Sequence, residues 1–441
     1  MARDLRHSAA RLARRITNIQ PTDQASPAQR RGMRMLWLDG FLSSASTAFY
    51  GEFVVLYMLA LGASSTTLGL RASINSAAAL AAPLVGAWLV AHSGRRKRWV
   101  LLGPGGVARL ALLMMAAVPF LLKGQAAVGL FVALLALQSF AGALGMPAHN
   151  SLLGDVVPLP IRGRFLGSSM MLNNIATVAV LPLAGYVIDK IGGLGAYQVA
   201  WLLAAVVGLA ATAAYWRVPD IHGEESRAAQ APGSLRQIWE RFRADRAFVV
   251  FCGINFVWTL GINLSGPFFT VHMVETLGFS AETIAYLATV TTLFNVVALR
   301  YAGGLVDKFG APRVTAVAML LVPIMPILWV FARTPLHVGI VKVYGFLAWA
   351  GFHVAALPLL LQLAPPAHRS QYVAILNTTN GVASVLAPLA AAWVYGRWGF
   401  TTNLLLSAGG RMAAALLFVW ALQRGVLSRA LRPAEEAGAP G

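Results

Sequence analysis

The segment Gly303-Gly-Leu-Val-Asp-Lys-Phe-Gly-Ala-Pro-Arg313 separates two long apolar stretches, and it decides how the chain is read. The apolar stretch 281–306 ends in this segment, and the stretch 313–332 begins from it. A helix of about 20 apolar residues crosses a hydrocarbon core of about 30 Å, so each stretch is long enough to span a membrane. The quoted segment is therefore a short, charged connection between two membrane spans.

The same pattern continues along the whole chain in both directions. Of the 441 residues, 58% are apolar and only 12% are charged, which excludes a soluble globular fold. We predict an all-α membrane protein with twelve transmembrane helices. Their predicted limits are 35–61, 66–91, 99–122, 126–150, 164–188, 196–216, 247–274, 281–306, 313–332, 336–362, 371–395 and 401–423.

The positions of the basic residues predict how these spans are oriented. Of the 35 Lys and Arg residues, 26 fall in the tails and alternate loops on one side of the membrane, here called the basic side. Four fall on the opposite side and five inside helices, namely Arg71, Arg109, Arg300, Lys342 and Arg411. The positive-inside rule places the basic side and both termini in the cytoplasm. The net charge of +19 thus reflects topology, and we expect no nucleic-acid partner.

The hydrophilic stretch 217–246 divides the spans into six and six. We therefore predict a basic N-terminal segment, a first six-helix bundle, a linker, a second six-helix bundle and a tail, at 1–34, 35–216, 217–246, 247–423 and 424–441. In the N-terminal segment Leu5, Leu12 and Ile16 share a helical face among arginines, which suits a helix on an anionic membrane surface. A disordered basic tail fits the same composition. The linker contains a second amphipathic stretch after Ser234.

The two predicted bundles are related by an internal repeat. A shift of 216 residues aligns three pairs: Asp39 with Asn255, Gly62 with Gly278, and Gly94 with Gly310. A shift of 207 residues aligns three more: Arg162 with Arg369, Asn173 with Asn380, and Gly192 with Gly399. Ordered matches at corresponding places in two six-span halves indicate a duplication.

The quoted segment closely resembles the Gly-x-Leu-Ala-Asp-Arg-x-Gly-Arg signature of the major facilitator superfamily of transporters. The equivalent first-half stretch keeps Gly94, Arg95 and Arg96 but has Ala91 where the signature has an acid. The stretch 147–167 also resembles the connection between helices 4 and 5 of that superfamily. The resemblance covers nearly the whole chain. It implies two pseudo-symmetric six-helix bundles that carry a small solute by alternating access.

The resemblance also implies that the signature residues close the cytoplasmic side. We expect Asp307 to face the N-terminus of helix 5, where the macrodipole favours an anion by about 0.3–1 kcal/mol, with Arg162 or Arg164 adding an ion pair. Ala91 cannot do the same in the first half. A solvated loop charge is the alternative for Asp307. The candidate gating residues are Asp307, Lys308, Gly310, Arg313, Gly94, Arg95, Arg96, Asp155 and Arg162.

Two of the sixteen acidic residues, Asp39 and Glu52, lie well within a predicted span, and both are on helix 1. An ionisable group there costs about 2.5–3.5 kcal/mol on insertion scales, so it is a functional candidate by default. Helix 1 lines the central cavity in the superfamily. We therefore expect proton coupling at Glu52 first and at Asp39 second. The alternatives are a fixed ion pair between Glu52 and Arg71, and a gating role for Asp39.

Further polar and aromatic residues fall on helices that line the cavity or flank it in the superfamily. The substrate-cavity candidates are Arg71, Gln138, Asn173, Asn255, Trp258, Asn263, Lys342, Tyr344, Trp349, His353 and Asn380. Such a mixture suits an amphipathic or cationic ligand. Ordinary packing is the alternative for each of them, and interhelical hydrogen bonding is the favoured interpretation of Asn173 and Asn380.

The motifs give only partial evidence for the direction of transport. Gln138 stands where drug/proton antiporters of the superfamily carry an Arg in helix 4, and helix 5 keeps only Pro182 and Gly185 of their Gly-Pro-x-x-Gly-Gly motif. The sparse charge favours proton-coupled efflux of an apolar solute. Proton-coupled uptake of a nutrient, or a non-transporting sensor or scaffold, are the alternatives.

Several other classes are disfavoured. The scattered histidines His92, His149, His272 and His353 make no catalytic set, so we expect no enzyme. The single cysteine, Cys252, excludes an intrachain disulfide and a multi-Cys metal site, and we expect neither cofactor nor metal. The excess of Arg over Lys is typical of a GC-rich bacterial gene. We expect a monomer in the bacterial cytoplasmic (inner) membrane, in contact with lipid, a small-molecule substrate and protons.

Overall fold

The structure, a computed structural model, describes residues 25–220, 240, 242–365 and 368–427. Throughout these residues the regular secondary structure is helical. The amphipathic N-terminal stretch predicted from Leu5, Leu12 and Ile16, and most of the one predicted after Ser234, lie outside the described residues.

Helix α1 consists of Pro27–Tyr50, a 3₁₀ turn at Gly51–Phe53, and Val54–Ala60. It begins before the predicted apolar span because Ser26 and Gln29 form a capping box. The Gln29 backbone N–H donates to Ser26 Oγ at 3.2 Å, and the Ser26 N–H donates to Gln29 Oε1 at 2.9 Å. Pro27 occupies the first helical position, and because proline has no backbone N–H it leaves no donor unsatisfied there. Polar residues therefore start this helix without leaving its first N–H groups unsatisfied.

The remaining helices follow the predicted spans. They are α2 Ser65–Ser93, α3 Arg96–Leu121, α4 Gly124–Val156, α5 Arg162–Ile191, α6 Gly193–Trp216, α7 Arg246–Thr276, α8 Ala281–Phe309, α9 Ala311–Phe331, α10 Pro335–Leu363, α11 369–398 and α12 400–423. A π turn interrupts α3 at Gly103–Val107 and another ends α7 at His272–Thr276.

Ten helical stretches of the described residues are long and apolar enough to cross a membrane. One of them, Gln371–Gln423, contains most of α11 and all of α12, which meet at the non-helical residue Gly399. Helix α1 is not among the ten, because its first part, Pro27–Tyr50, is polar. The prediction of an all-α, multi-pass membrane protein is confirmed, and each of the twelve predicted spans coincides with a helix.

The predicted repeat has a backbone counterpart at three pairs of glycines. Each has a positive φ: Gly62 (91°) and Gly278 (65°), Gly94 (63°) and Gly310 (82°), Gly192 (70°) and Gly399 (75°). Side chains with a Cβ avoid this region, so the chain needs glycine where it leaves one helix and enters the next. The duplicated sequence thus preserves the same turns in the two halves.

The chain divides into two compact units. Among the described residues, unit 1 comprises 25–63, 78–220 and 280–289, and unit 2 comprises 64–77, 240, 242–279, 290–365 and 368–427. The beginnings of α2 and α8 thus belong to the unit opposite to the one that holds the rest of the helix. In unit 1, α1 packs on α5 and α6. In unit 2, α7 packs along the stretch that contains α11 and α12.

Each unit has its own apolar core. In unit 1 the buried Tyr57 ring meets Phe131 at 4.9 Å, Tyr197 at 5.1 Å and Trp201 at 4.9 Å between ring centroids. In unit 2 the core contains Trp258, Phe248 and Phe418. Aromatic pairs at such separations add about 0.5–1.5 kcal/mol beyond burial, so they hold the helices that carry the polar residues described below.

Candidate transport site

Asp39 lies half-buried on α1, close to Arg109 of α3. Two serines on α1 hold the Arg109 side chain: Nη2 donates to Ser43 Oγ at 2.9 Å and Nη1 donates to Ser46 Oγ at 3.2 Å. Ser46 in turn donates to the backbone oxygen of Ala204 on α6, at 2.6 Å. The arrangement places a carboxylate and a guanidinium inside the bundle of unit 1, on a hydrogen-bonded link between α3, α1 and α6.

Gly208 on α6 makes room for this arginine. A Cβ built on Gly208 would lie 2.7 Å from Arg109 Cδ, so a larger residue would displace the side chain. Arg109 is one of the basic residues that the sequence places inside helices, and no role is predicted for it. A signal was available in the serines of α1, whose spacing of three residues places both hydroxyls on one helical face.

Glu52 lies in the 3₁₀ turn of α1 and is exposed. Within the described part of unit 1 it forms no ion pair. Arg71 belongs to unit 2, where its Nε atom is buried and has no hydrogen-bond partner among the described residues. Coupling at Glu52 and pairing with Arg71 both stay predictions.

The other candidates of unit 1 connect α1 to its neighbours. Gln138 on α4 donates from Nε2 to Tyr50 Oη on α1 at 2.8 Å. Asn173 on α5 packs against Gly40, where an added Cβ would lie 2.9 Å from Asn173 Oδ1. That oxygen is buried, and no residue in the described part of the chain hydrogen-bonds to it. Gln138 and Asn173 therefore fix α4 and α5 against the helix that carries both acids.

In unit 2 the asparagine candidates form hydrogen bonds within α7 and between α7 and α11. Asn263 Nδ2 donates to Ser384 Oγ of α11 at 3.3 Å, and Thr259 Oγ1 donates to Asn380 Oδ1, also at 3.3 Å. Asn255 Nδ2 donates to the oxygen of Phe251 on its own helix at 2.9 Å. These contacts support the interpretation of Asn380 as an interhelical hydrogen-bonding residue.

Aromatic candidates of unit 2 form one continuous cluster, the α7/α10 aromatic cluster, consisting of Trp258, Trp349, Phe352 and His353. Trp258 on α7 is only 1% exposed and lies 5.8 Å from Trp349 and 5.2 Å from Phe352 between ring centroids. Trp349 also stacks on the exposed His353, at 5.3 Å and 27°. Phe352 is absent from the candidates predicted from the sequence, although its spacing from Trp349 puts both rings on one helical face.

The remaining candidates of α10 are Tyr344 and Lys342. Tyr344 Oη donates to the backbone oxygen of Leu321 on α9 at 2.8 Å, so its hydroxyl joins two helices of unit 2. Lys342 is half-buried.

The candidate gating residues of unit 1 form a network at the basic ends of its helices. The Arg96 guanidinium pairs with the Asp155 carboxylate, with side chains only 6% and 5% exposed, and also donates to Ser151 Oγ at 2.8 Å. Arg162 Nη2 donates to the backbone oxygens of Gly154 at 2.7 Å and Val157 at 3.3 Å. The network fastens the beginnings of α3 and α5 to the end of α4.

The candidate gating residues of unit 2 are more exposed than those of unit 1. Asp307 is exposed and forms no ion pair with a described residue of its unit. Lys308 Nζ lies 5.3 Å from the ring centroid of Phe309. Arg313 and, in unit 1, Arg95 are exposed. The predicted contact of Asp307 with the N-terminus of helix 5 stays a prediction.

Comparison with known proteins decides the family. The family model described as "Major Facilitator Superfamily" matches residues 36–265 and 254–440, which together cover most of the chain. The chain belongs to the major facilitator superfamily. It is accordingly a membrane transporter and not an enzyme, and the resemblance noted from the sequence is confirmed.

Curated relatives have low sequence identity to this protein, but their alignments cover nearly the whole chain. The protein is 24% identical to multidrug resistance protein MdtG of Yersinia enterocolitica over 408 residues, covering 90% of this chain and 94% of the relative. It is 23% identical to MdtG of Klebsiella pneumoniae over 422 residues, covering 93% and 96%.

Solved structures of the superfamily share the fold. The nucleoside transporter NupG matches with a TM-score of 0.66 at 14% identity, covering 89% of this chain and 99% of that one. The peptide transporter POT in complex with sulfate matches with a TM-score of 0.70 at 14% identity, covering 91% and 96%. At such low identity these matches show the fold and not the substrate.

Proposed function

We propose that this transporter exports small apolar or amphipathic molecules across the inner membrane of a bacterium in exchange for protons. The observation that carries the proposal is the α7/α10 aromatic cluster in unit 2. Its rings offer stacking surfaces to a flat or cationic apolar molecule. The cluster contains no carboxylate, lysine or arginine side chain that would select a phosphate. The printed names of the MdtG relatives, which concern multidrug resistance, support the same substrate class.

Within the cluster the residues have different roles. Trp258 is buried and supports the other rings, whereas Trp349 and His353 lie nearer the surface and contact the substrate. Trp349 meets Phe352 edge to face, at 5.6 Å and 89°, which leaves the rings facing in different directions. Such a surface accepts molecules of differing outline, as a broad substrate range requires.

The coupling proton binds on α1. Asp39 is the stronger candidate because it lies half-buried beside a fixed arginine, whereas Glu52 lies in an exposed turn. Proton binding at Asp39 neutralises the carboxylate and so removes its attraction for Arg109. The basic side of the membrane, where Arg96 and Asp155 lie, is the cytoplasmic side.

Flux in proteoliposomes tests this function. A fluorescent lipophilic dye is followed with and without an imposed pH gradient, and accumulation that requires the gradient is the expected result. Dye movement that is the same with and without the pH gradient would contradict proton coupling. Gradient-driven accumulation of nucleosides, sugars or peptides in place of dyes would instead support the uptake alternative. No movement of any of these substrates would favour the sensor or scaffold.

A further inference from the structure

We propose that a groove on unit 1, where α1 and α3 begin and α6 ends, binds the headgroup of an anionic phospholipid. This surface, here called the basic groove, consists of two depressions with volumes of about 610 and 490 Å³. Lys97 and Trp216 line both depressions, so the two adjoin along these side chains. Either volume lies within the roughly 300–1,000 Å³ of small-ligand sites.

The lining of the basic groove carries a large excess of positive charge. It includes five basic side chains and one acidic side chain, namely Arg31, Arg95, Lys97, Arg98, Arg217 and Asp220. Asp220 Oδ1 lies 4.0 Å from Nη2 of Arg96, an arginine outside the lining, which offsets the acidic charge. Among the described residues Arg31, Arg95 and Arg98 form no ion pair, and all three are exposed. Guanidinium groups bind phosphate oxygens through paired hydrogen bonds, so the groove suits a phosphate group.

Apolar side chains border the same groove. Trp216, the last residue of α6, is 71% exposed, and Leu102 on α3 is 45% exposed. Both line the larger depression. They lie near the basic ends of their membrane spans, a depth at which tryptophan is enriched because its ring is apolar and its N–H is polar. A soluble anion needs no apolar border, whereas a phospholipid carries its phosphate beside acyl chains. The occupant that fits both features is therefore a lipid.

The floor of the basic groove is fixed by contacts between helices. Lys97 Nζ donates to the backbone oxygen of Val218 at 2.7 Å, which joins the start of α3 to the residues after α6. Val218 is 1% exposed and packs in one apolar core with Val100. A Cβ built on Gly32 of α1 would lie 3.2 Å from Pro219 Cδ, so α1 also packs closely here. The basic side chains thus project from a preorganised surface, which lowers the ordering cost of binding.

A lipid phosphate in the basic groove would bridge three helices of unit 1. The basic residues come from α1 (Arg31), from the start of α3 (Arg95, Lys97 and Arg98) and from the end of α6 (Arg217). The ammonium of Lys97 has three donors, and its bond to Val218 uses one, so two remain for phosphate oxygens. Binding therefore stabilises the folded unit and does not depend on which solute is carried.

The experiment measures lipid binding to the purified full-length protein in detergent micelles. The three probes are phosphatidylglycerol, phosphatidylcholine with the same acyl chains, and inorganic phosphate. Native mass spectrometry gives the dissociation constants of the lipids, and the thermal unfolding midpoint is followed with each probe. We expect only phosphatidylglycerol to raise the midpoint, because a ligand that binds the folded state stabilises it. An equal rise with phosphatidylcholine overturns recognition of the negative charge, and an equal rise with phosphate overturns a lipid as the occupant.

Matched variants separate the basic groove from the overall positive charge. Arg98→Gln combined with Arg217→Gln removes one arginine from each depression. Each basic residue near an anionic surface contributes about a fivefold factor in affinity, so phosphatidylglycerol binding is expected to weaken by about tenfold or more. Arg369→Gln combined with Arg424→Gln removes two exposed arginines of unit 2 and is expected to bind like wild type. Equal affinities of the two double variants overturn the groove as the site.

A third variant covers the case in which the groove double variant does not fold. Trp216→Ala keeps every charge and removes the exposed ring, so phosphatidylglycerol binding is expected to weaken by about threefold. Trp393→Ala on α11, where the ring is 62% exposed, is the control. Equal dissociation constants for these two variants overturn the lipid. Dye transport enters none of these measurements, so failure of the proposed proton exchange would leave the result on the groove intact.

Discussion

The carboxylate of Asp189, at the end of α5, accepts a hydrogen bond from the backbone N–H of Glu282, in the first turn of α8, at 2.9 Å. Its other oxygen accepts from the N–H of Ala281 at 3.1 Å. Ser280 Oγ accepts from the Thr283 N–H at 3.2 Å, so three of the four free donors at this helix start are satisfied. A residue from the first repeat thus caps a helix of the second, within unit 1.

Replacing this cap is expected to weaken the attachment of α8. Asp189→Ala removes a carboxylate from two N–H groups and from the positive end of the helix dipole, a loss of about 1 kcal/mol. The check is a lower thermal unfolding midpoint in detergent, with a smaller difference at high salt. Lys190→Ala, at the exposed neighbouring position, is the control and is expected to be neutral. Equal midpoints for the two variants would show that the cap contributes nothing.

The ion pair of Arg96 and Asp155 is expected to be a large contributor to the stability of unit 1. Arg96→Ala leaves the nearly buried Asp155 carboxylate without its partner, which costs about 3–5 kcal/mol. Arg95→Ala removes the same charge from an exposed position and serves as the control. Thermal unfolding and the yield of monodisperse protein measure the difference. Similar stability of the two variants would refute a structural role for the pair.

Ring stacking at Trp349 is expected to determine substrate affinity. Trp349→Ala removes the ring between Phe352 and His353, which weakens dye binding by about tenfold if one stacking contact is worth about 1.4 kcal/mol. Trp393→Ala on α11 is the control, because this ring is 62% exposed and contacts Trp398 of the same helix. Dye fluorescence titration gives both dissociation constants, and equal values would exclude the cluster as the binding surface.

The glycine between α11 and α12 is expected to be intolerant of a side chain. Gly399→Ala places a Cβ at φ +75° and ψ −177°, a conformation that essentially only glycine adopts, which costs about 1–3 kcal/mol. Gly396→Ala, three residues earlier in a helical position with open space around it, is expected to be neutral or stabilising. Unfolding midpoints compare the two variants. A stable Gly399→Ala protein would mean that the turn relaxes to negative φ.

Much of the fold could be predicted because it follows from local patterns. Apolar length fixed the helices, and the repeat located the glycines whose positive φ divides them, Gly94 and Gly310 among them. The start of α1 differed from the apolar span because a capping box, and not hydropathy, begins that helix. Hydropathy also cannot register the 3₁₀ turn that places Glu52 at an exposed position.

The site was harder to predict because its contacts join residues that are distant in sequence. Arg96 and Asp155 are both predicted gating residues, yet nothing local in the sequence indicates that they pair with each other. The contact of Arg109 with Ser43 depends on the rotation of α3 relative to α1, which spacing within one helix does not determine. The Asp189 cap depends on the axial position of α5 against α8, which is likewise a matter of packing.

Exchange of substrate for protons can be measured directly, whatever the orientation of the protein in the vesicle. Proteoliposomes holding a pH-sensitive dye are given a substrate gradient and no initial pH gradient. Substrate entering the vesicles is predicted to raise the internal pH, because protons leave in exchange, and Asp39→Asn is predicted to abolish the change. A fall in internal pH, or no change while substrate enters wild-type vesicles, would rule out exchange of substrate for protons.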